Sequence, residues 1–169
     1  EGTFNPKMIL GQMRDPRSIL EDDIDNPLDK VEPIENIPIM EDVPFYGKQT
    51  KIALRNSGYV DPDSIDEYIS KHGYEALLKC LHDLDPKAVL QIVKDANLRG
   101  RGGGGFPAGI KWATCAKHDG ERSIICNADE GDPGAYMDRS ILEGDPHSVI
   151  EGMLIAGVAI GSSHGYIYV

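Results

Sequence analysis

The residues best suited to chemistry lie in a glycine-rich segment at 97–111, NLRGRGGGGFPAGIK, which holds six glycines in fifteen residues. Glycine exposes backbone N–H groups and permits positive φ, and both properties suit a loop that surrounds a phosphate. Arg99, Arg101 and Lys111 bring positive charge to this segment, and Phe106 offers flat apolar surface to a ring. The segment therefore predicts a ligand that carries both a phosphate and a ring system.

Other glycine-rich motifs fit this segment less well. Gly100, Gly102 and Gly105 satisfy G-x-G-x-x-G, but a Rossmann fingerprint follows a strand, and here a predicted helix precedes the loop. The spacing of a P-loop is also present, but Ile110 stands where that motif requires lysine. RGG-type segments that bind nucleic acid occur as repeats, whereas this one is single. A flexible loop without a ligand is the remaining alternative.

Acidic and amide side chains form a second candidate site. NADEGDPGAYMD at 127–138 predicts a loop after the strand RSIIC, the position where open α/β sheets contact ligands. Its Asn127, Asp129, Glu130 and Asp132 could bind ribose or ribityl hydroxyls and a polar ring edge. A Mg²⁺ site and a solvated acidic turn explain the same residues, and this loop alone leaves all three open. Together with the preceding glycine loop, it favours a nucleotide.

Local patterns predict the elements that lead into the glycine loop. KQTKIAL at 48–54 predicts a short strand, and apolar spacing predicts two short helices over roughly 63–83. Asp85, followed by proline, is typical of an N-cap and opens a predicted helix over 87–97. The apolar positions expected to form its buried face are Val89, Leu90, Ile92 and Val93.

The second half of the chain alternates strand and helix. We predict a buried strand at 122–126, an apolar helix over 148–161 and a strand at 165–169. Gly152 and Gly157 are expected to let that helix pack closely against a sheet. An apolar strand at the end of the sequence predicts that the chain is a C-terminally truncated fragment of a larger protein.

Charge and cysteine usage exclude several classes of protein. The chain has 169 residues, 17 basic and 28 acidic, and its net charge of −11 argues against a nucleic-acid or anionic-membrane binder. No apolar run approaches the ~18–20 residues of a membrane-spanning helix, and no signal peptide is recognisable. Three unclustered cysteines suit a reducing compartment, the cytoplasm, and argue against a self-contained zinc or iron–sulfur site.

Composition divides the chain into three predicted parts. Residues 1–45 hold eleven acids, four bases and six of the eleven prolines, which predicts an acidic extended arm or linker. A docking role for this arm is the alternative. Residues 46–96 form a predicted helical lead-in, and 97–169 form a predicted α/β domain.

Four segments together resemble one family. LRGRGGGGFPAGIKW (98–112), CNADEGDPGAYMDR (126–139), PHSVIEGMLIAGVAIG (146–161) and GYIYV (165–169) resemble the FMN- and NADH-binding flavoprotein subunit of respiratory complex I. The same family includes the diaphorase subunits of NAD-linked, often electron-bifurcating hydrogenases and formate dehydrogenases. Residues 46–77 are more similar to the hydrogenase-type branch.

The resemblance implies an α/β FMN-binding domain with a mixed sheet and flanking helices. Hydride would exchange between NAD(H) and FMN, and electrons would then pass singly to iron–sulfur centres, including a [4Fe–4S] centre in a later part of the parent protein. Implied partners are a thioredoxin-like [2Fe–2S] subunit and a catalytic hydrogenase, formate dehydrogenase or quinone-reducing module. The complex I subunit is the alternative within the family. A fragment that only binds proteins through its arm, and a nucleotide-binding module without redox chemistry, are alternatives of other classes.

The resemblance also implies roles for individual residues, none of them a catalytic acid, a catalytic base or a metal ligand. Phe106 would lie beside the nucleotide, and Asp132 would approach the incoming NADH. Gly104 replaces an alanine usual in the family, and Thr114 replaces an aromatic residue that stacks on NADH in respiratory members. The residues implied at the flavin and its phosphate are Gly100, Arg101, Gly102, Gly103 and Lys111. Those implied at the ribityl chain and ring edge are Asn127, Asp129 and Glu130, with Gly131 in the same loop.

Overall fold

The computed structural model describes residues 42–169, so all but the last few residues of the predicted acidic arm lie outside the described part. The described residues combine helices with a small sheet, the α/β class that the sequence predicts. In chain order the elements are α1 (Ile65–Ser70), α2 (Glu75–His82), α3 (Pro86–Asp95), α4 (Ala108–Cys115), β1 (Ser123–Asn127), α5 (Met137–Gly144), α6 (Pro146–Ile160) and β2 (His164–Tyr168).

The two described strands pair in parallel. Ser123 lies opposite His164 and Asn127 lies opposite Tyr168. Parallel strands need a crossover connection, and α5 and α6 provide it. Both predicted strands and the long apolar helix are therefore confirmed, each within two residues of its predicted bounds. The burial predicted for β1 is wrong, because none of its residues is buried and Ile125 is 66% exposed. The carboxyl ends of β1 and β2 lie at the same edge of the sheet.

Helix α6 is the element on which the others pack. Asp145 caps its start by accepting the N–H of Ser148 at 3.2 Å, and Pro146 occupies the first turn. The helix contacts α2, α3, α4, α5 and both strands. Its Leu154 joins the cluster formed by the lead-in, and its Ile160 joins a second cluster with α3. The apolar faces of α2 and α3 are thus buried against α6.

The expected roles of two glycines in α6 are wrong. Gly152 is exposed, and a Cβ there would meet nothing within 4 Å. Gly157 is buried, but its close neighbour is the carbonyl oxygen of Ser162, 3.2 Å from a Cβ, and not the sheet. The period of the helix puts Gly152 on the outer face of α6. Sequence spacing alone did not distinguish this outer face from the inner one.

The predicted lead-in helices are confirmed, with one correction to a buried face. Asp85 accepts the N–H of Ala88 at 2.7 Å, as an N-cap should. Val89 is buried, but Ile92 is 54% exposed. Helix α3 contacts α4 and α6 along one narrow stripe, and Ile92 lies beside that stripe.

Three further differences concern elements. The strand predicted at 48–54 is wrong, because the segment has turns and irregular backbone, and Ile52 is 76% exposed. The described sheet contains only β1 and β2, so the segment has no strand to pair with there. Helix α5 begins at Met137, inside the loop predicted to run to 138, and helix α4 was not predicted.

Candidate functional site

The glycine loop is closed at its base by backbone pairing. Arg99 and Pro107 form an isolated antiparallel bridge, and the N–H of Gly100 donates to the carbonyl oxygen of Phe106 at 2.9 Å. The guanidinium of Arg99 donates to the carbonyl oxygen of Gly105 at 3.1 Å. Arg99, one of three bases noted in the sequence, therefore braces the loop.

The tip of the loop, 102–105, is open. A Cβ built on any of its four glycines would meet nothing within 4 Å. Gly103 and Gly105 have φ values of +99° and +59°, so their backbone conformation favours glycine. Gly102 and Gly104 have no such φ, and the described chain leaves room for a side chain at both. Intramolecular packing explains neither glycine, whereas close approach of a ligand to the backbone would explain Gly102.

Helix α4 begins directly after the loop. Pro107 is its N-cap residue, and the first-turn N–H groups give this end partial positive charge, which favours an anion. Gly109 lets α4 cross α3 closely, because a Cβ there would lie 2.8 Å from the backbone nitrogen of Lys94. Arg101 and Lys111 are exposed and make no hydrogen bond or ion pair within the described residues. Both bases are therefore available to an anionic ligand.

Apolar surface adjoins the same loop. Leu98, Phe106 and Ile110 are 48%, 53% and 49% exposed. Large apolar side chains at a protein surface that gather beside polar groups are typical of binding sites. Phe106, predicted to lie beside a ring, is among them.

The acidic loop starts at the carboxyl end of β1. The N–H of Ala128 donates to the carbonyl oxygen of Tyr168 at 2.9 Å, which extends the strand pairing by one residue. Asn127 accepts the N–H of Asp129 through Oδ1 at 3.2 Å, so its amide nitrogen remains for a ligand. Asp129 and Asp132 are exposed, and their carboxylates accept no hydrogen bond within the described residues. These two carboxylates are open to solvent or ligand.

Glu130 is arranged differently from its neighbours. Its Oε1 accepts the N–H of Asp138 at 3.0 Å, and its Oε2 accepts the N–H of Arg139 at 3.1 Å. These amides, that of Asp138 foremost, together with the amide of Met137, lower the pKa of the Glu130 carboxyl. The carboxylate is thus engaged with the start of α5, a role that sequence reasoning missed. The sequence MDRSILEG carries only a short apolar repeat as a signal for that helix.

The two loops belong to elements that are consecutive in the chain. A connection at 116–122 joins α4, which follows the glycine loop, to β1, which precedes the acidic loop. The apolar residues Trp112 and Ile124 of the two elements share one cluster. No hydrogen bond or ion pair joins the glycine loop to the acidic loop within residues 42–169.

Three other features of residues 42–169 complete the description. No group of three or more His, Cys, Asp or Glu side chains in this range is arranged to hold a metal ion. No helix in this range has the length and apolar content needed to cross a bilayer. Burial is the main cause that raises the pKa of the Cys126 thiol, which lies beside Asn127.

Comparison with known proteins identifies the second half of the chain. Residues 93–169 match the family model described as the Nuo51 FMN-binding domain. The chain is similar to this family over those residues. The resemblance drawn from the sequence is therefore confirmed.

Curated relatives of this FMN-binding domain are oxidoreductase subunits. The chain is 53% identical over 123 residues to the NADP-reducing hydrogenase subunit HndC of Solidesulfovibrio fructosivorans, covering 72% of the chain and 25% of that protein. It is 44% identical over 119 residues to an NADH-quinone oxidoreductase subunit of Rhizobium meliloti, covering 70% of the chain and 28% of that protein. An NADH-quinone oxidoreductase subunit of Escherichia coli is 47% identical over 109 residues, which are 63% of the chain and 24% of that protein. The chain thus spans about a quarter of these relatives.

A solved structure shows the same fold. A chain of the NAD⁺-reducing [NiFe]-hydrogenase in the H₂-reduced state superposes with a TM-score of 0.54 and 38% identity, covering 79% of this chain and 23% of that one. The α/β class predicted from the sequence is confirmed by this likeness.

The residues present in the FMN-binding domain fit a flavin phosphate. The open tip at Gly102 and Gly104 leaves space above backbone N–H groups, and Arg101 and Lys111 have no partner within the described residues. Phosphate oxygens accept hydrogen bonds and carry negative charge, so backbone donors and bases are the groups they require.

Proposed function

We propose that the whole protein is the flavoprotein, or diaphorase, subunit of an NAD(H)-linked hydrogenase or formate dehydrogenase complex. Hydride exchanges between NAD(H) and FMN, and electrons then pass singly to iron–sulfur centres. The observation that carries the proposal is the open glycine tip, where Gly102 serves neither φ nor packing in a Nuo51-type domain.

The glycine loop is proposed to hold the flavin phosphate. Backbone N–H groups at the tip and at the start of α4 donate to phosphate oxygens, and Arg101 and Lys111 neutralise the charge. Phe106 covers part of the nucleotide with apolar surface. The residues proposed to line this part of the site are Gly100, Arg101, Gly102, Gly103, Phe106 and Lys111.

The acidic loop is proposed to lie along the ribityl chain and the ring edge. Asn127 offers its amide nitrogen as a donor, and Asp129 offers an open acceptor for hydroxyl groups. Gly131 keeps the backbone accessible beside them, because a Cβ there would meet nothing within 4 Å. Asp132, which lies further along the loop, is proposed to approach the incoming dinucleotide. FMN supplies the hydride and one-electron chemistry when bound, and these side chains supply orientation and charge.

The choice of complex rests on sequence similarity. The hydrogenase subunit HndC is 53% identical, and the two NADH-quinone oxidoreductase subunits are 44% and 47% identical. The complex I subunit is therefore the second candidate. In either complex, the proposed partners are a thioredoxin-like [2Fe–2S] subunit and the catalytic or quinone-reducing module, with a [4Fe–4S] centre elsewhere in the same protein. We place the protein in the cytoplasm, since its three cysteines, all free, suit a reducing compartment.

The visible spectrum of the full-length protein, purified and reconstituted with FMN, tests the proposal. We expect flavin absorbance bands that bleach when NADH or NADPH is added anaerobically. The dinucleotide that bleaches the bands faster is the preferred one. Nucleotide binding without flavin bands would favour a module without redox chemistry. Absence of both would favour a protein-binding role, and deletion of residues 1–45 should then abolish association with the partner. The purified complex is also assayed for hydrogen-dependent and for quinone-dependent oxidoreductase activity. The activity found separates the hydrogenase-type candidate from the complex I candidate.

A further inference from the structure

A single side chain closes the loop between β1 and α5. Glu130 binds the amide of Asp138, eight residues further along the chain, and the amide of Arg139 beside it. Tyr136, the residue that precedes α5, makes no side-chain hydrogen bond to the start of the helix. The first-turn amides of a helix need acceptors from outside the helix, and Glu130 provides them. Its carboxylate therefore joins the two ends of the loop.

The enclosed segment, 131–137, has little else to hold it. All seven of its residues are exposed. It contains one turn, in which the N–H of Ala135 donates to the carbonyl oxygen of Asp132 at 3.0 Å, and Gly134 adopts a φ of +83°. Apart from the start of α5, no hydrogen bond within the described residues ties this segment to other elements. The position of Asp132 therefore depends on Glu130.

The three carboxylates of the loop are in different states. Both oxygens of Glu130 accept backbone hydrogen bonds, whereas Asp129 and Asp132 accept none within residues 42–169. A ligand at this loop meets two available acceptors and one that is already occupied. Direct contact of Glu130 with a flavin hydroxyl would compete with hydrogen bonds that hold the loop closed.

We propose that Glu130 is a positioning residue, which holds Asp132 in place for an incoming dinucleotide, and that it does not itself contact the flavin. The inference rests on the proposed function, and it replaces the ribityl contact that the family resemblance implies for Glu130.

Two substitutions in the full-length, FMN-loaded protein test this role. Glu130→Asp keeps the charge but shortens the side chain by one methylene, and Glu130→Gln keeps the length but loses the charge and one acceptor. Asp129→Asn is the matched control, because it removes a neighbouring charge that has no partner within the described residues. The measurements are hydrogen exchange of segment 131–139, the Kd for FMN, and KM and kcat with NADH.

For both Glu130 variants we expect roughly tenfold faster exchange of the Asp138 and Arg139 amides, because Asp draws the carboxylate away from them and Gln leaves one of them without an acceptor. The KM for NADH should rise several-fold with little change in kcat, and the Kd for FMN should stay within about twofold. Asp129→Asn should leave the exchange unchanged and weaken FMN binding instead.

Two results would overturn the inference. One is unchanged exchange in both Glu130 variants. The other is a large loss of FMN affinity in Glu130→Asp together with an unchanged KM, which would indicate direct flavin contact. If Glu130→Gln does not fold, Glu130→Asp decides the question. A wild-type protein that binds no FMN overturns the proposed function, and this inference with it, before any variant is compared.

Discussion

Helices α2 and α5 begin in the same way but in opposite surroundings. Each is preceded by a tyrosine, Tyr74 or Tyr136, that makes no side-chain cap hydrogen bond. Each receives a glutamate from outside the helix instead. Glu151 of α6 accepts the N–H of Leu77 at 3.1 Å and the N–H of Tyr74 at 2.9 Å, and Glu130 caps α5 from a surface loop.

The difference lies in what surrounds each carboxylate. Glu151 is 8% exposed, and the buried hydroxyl of Tyr68 donates a third hydrogen bond to it at 2.6 Å. Tyr74, held at a φ of +63°, is fixed by the same carboxylate. Glu130 lies at the surface among glycines and exposed carboxylates. Glu151 has its hydrogen-bond partners within the described chain, whereas the carboxylates beside Glu130 remain open to solvent or ligand. That contrast separates the scaffold from the candidate site.

The largest effect expected from this comparison is on stability. Glu151→Ala leaves the Tyr68 hydroxyl and two backbone amides without their acceptor, so we expect about 3 kcal/mol less free energy of unfolding. Denaturant titration of the full-length protein measures it. Glu143→Ala is the control, because the Glu143–Arg139 pair is exposed, and it should cost less than ~0.5 kcal/mol. Equal losses of unfolding free energy in Glu151→Ala and Glu143→Ala would contradict the contrast between buried and surface carboxylates.

The next effect is on ligand binding without a change in stability. Gly102→Ala places a methyl group in the open tip, so we expect FMN affinity to fall roughly tenfold or more, about 1.4 kcal/mol. The thermal midpoint of the FMN-free protein should not change, because the methyl group meets no chain atom within 4 Å. Gly104→Ala is the matched control, since the family usually has alanine there and affinity should be retained. Loss of affinity in both variants, or in neither, would argue against a cradle at Gly102.

A smaller effect concerns the charge of the open carboxylates. Asp132→Asn removes negative charge near the proposed flavin, so we expect its midpoint potential to rise by roughly 10–20 mV, the size of a solvent-screened pair. Anaerobic redox titration measures it. An unchanged potential would remove the electrostatic role of Asp132 and leave only contact with the dinucleotide.

The smallest expected effect is on the pH dependence of stability, and it concerns the buried region around His147. The hydroxyl of Tyr74 lies 2.9 Å from Nδ1 of His147, whose ring stacks on Tyr68. Burial lowers the pKa of His147, although the nearby Asp145 opposes the shift. The pKa of His147 in the folded state lies below the unfolded value of about 6.5, so the neutral ring contributes to the free energy of unfolding above pH 6.5. This contribution is lost as pH falls through the folded pKa.

The measurement for His147 is the free energy of unfolding as a function of pH. His147→Gln should remove the decrease that begins below pH ~6.5. His118→Gln, a substitution of an exposed histidine, should leave that decrease in place. A decrease that persists in His147→Gln would assign it to other groups.

Sequence patterns identified the elements whose signals are local. The Asp85 cap, the apolar period of α6 and the short apolar runs of β1 and β2 each act within a few residues, and all appear where predicted. Helix α5 was missed because its cap is Glu130, which lies near the start of the loop and reaches the helix only through the folded path of that loop. The strand predicted at 48–54 failed for the complementary reason, because a strand needs a neighbour and the described sheet offers none.

The candidate site likewise has features that the sequence determined and features that only the tertiary structure decided. The residue types of the glycine loop and the acidic loop, and the family they indicate, were determined by the sequence alone. Only the tertiary structure decided which polar groups remain open. Arg99 braces its own loop and Glu130 caps α5, whereas Arg101 and Asp132 make no contacts of this kind within the described residues. Residue type and spacing describe what a side chain can bind, but a hydrogen bond already made within the chain is set by the folded geometry.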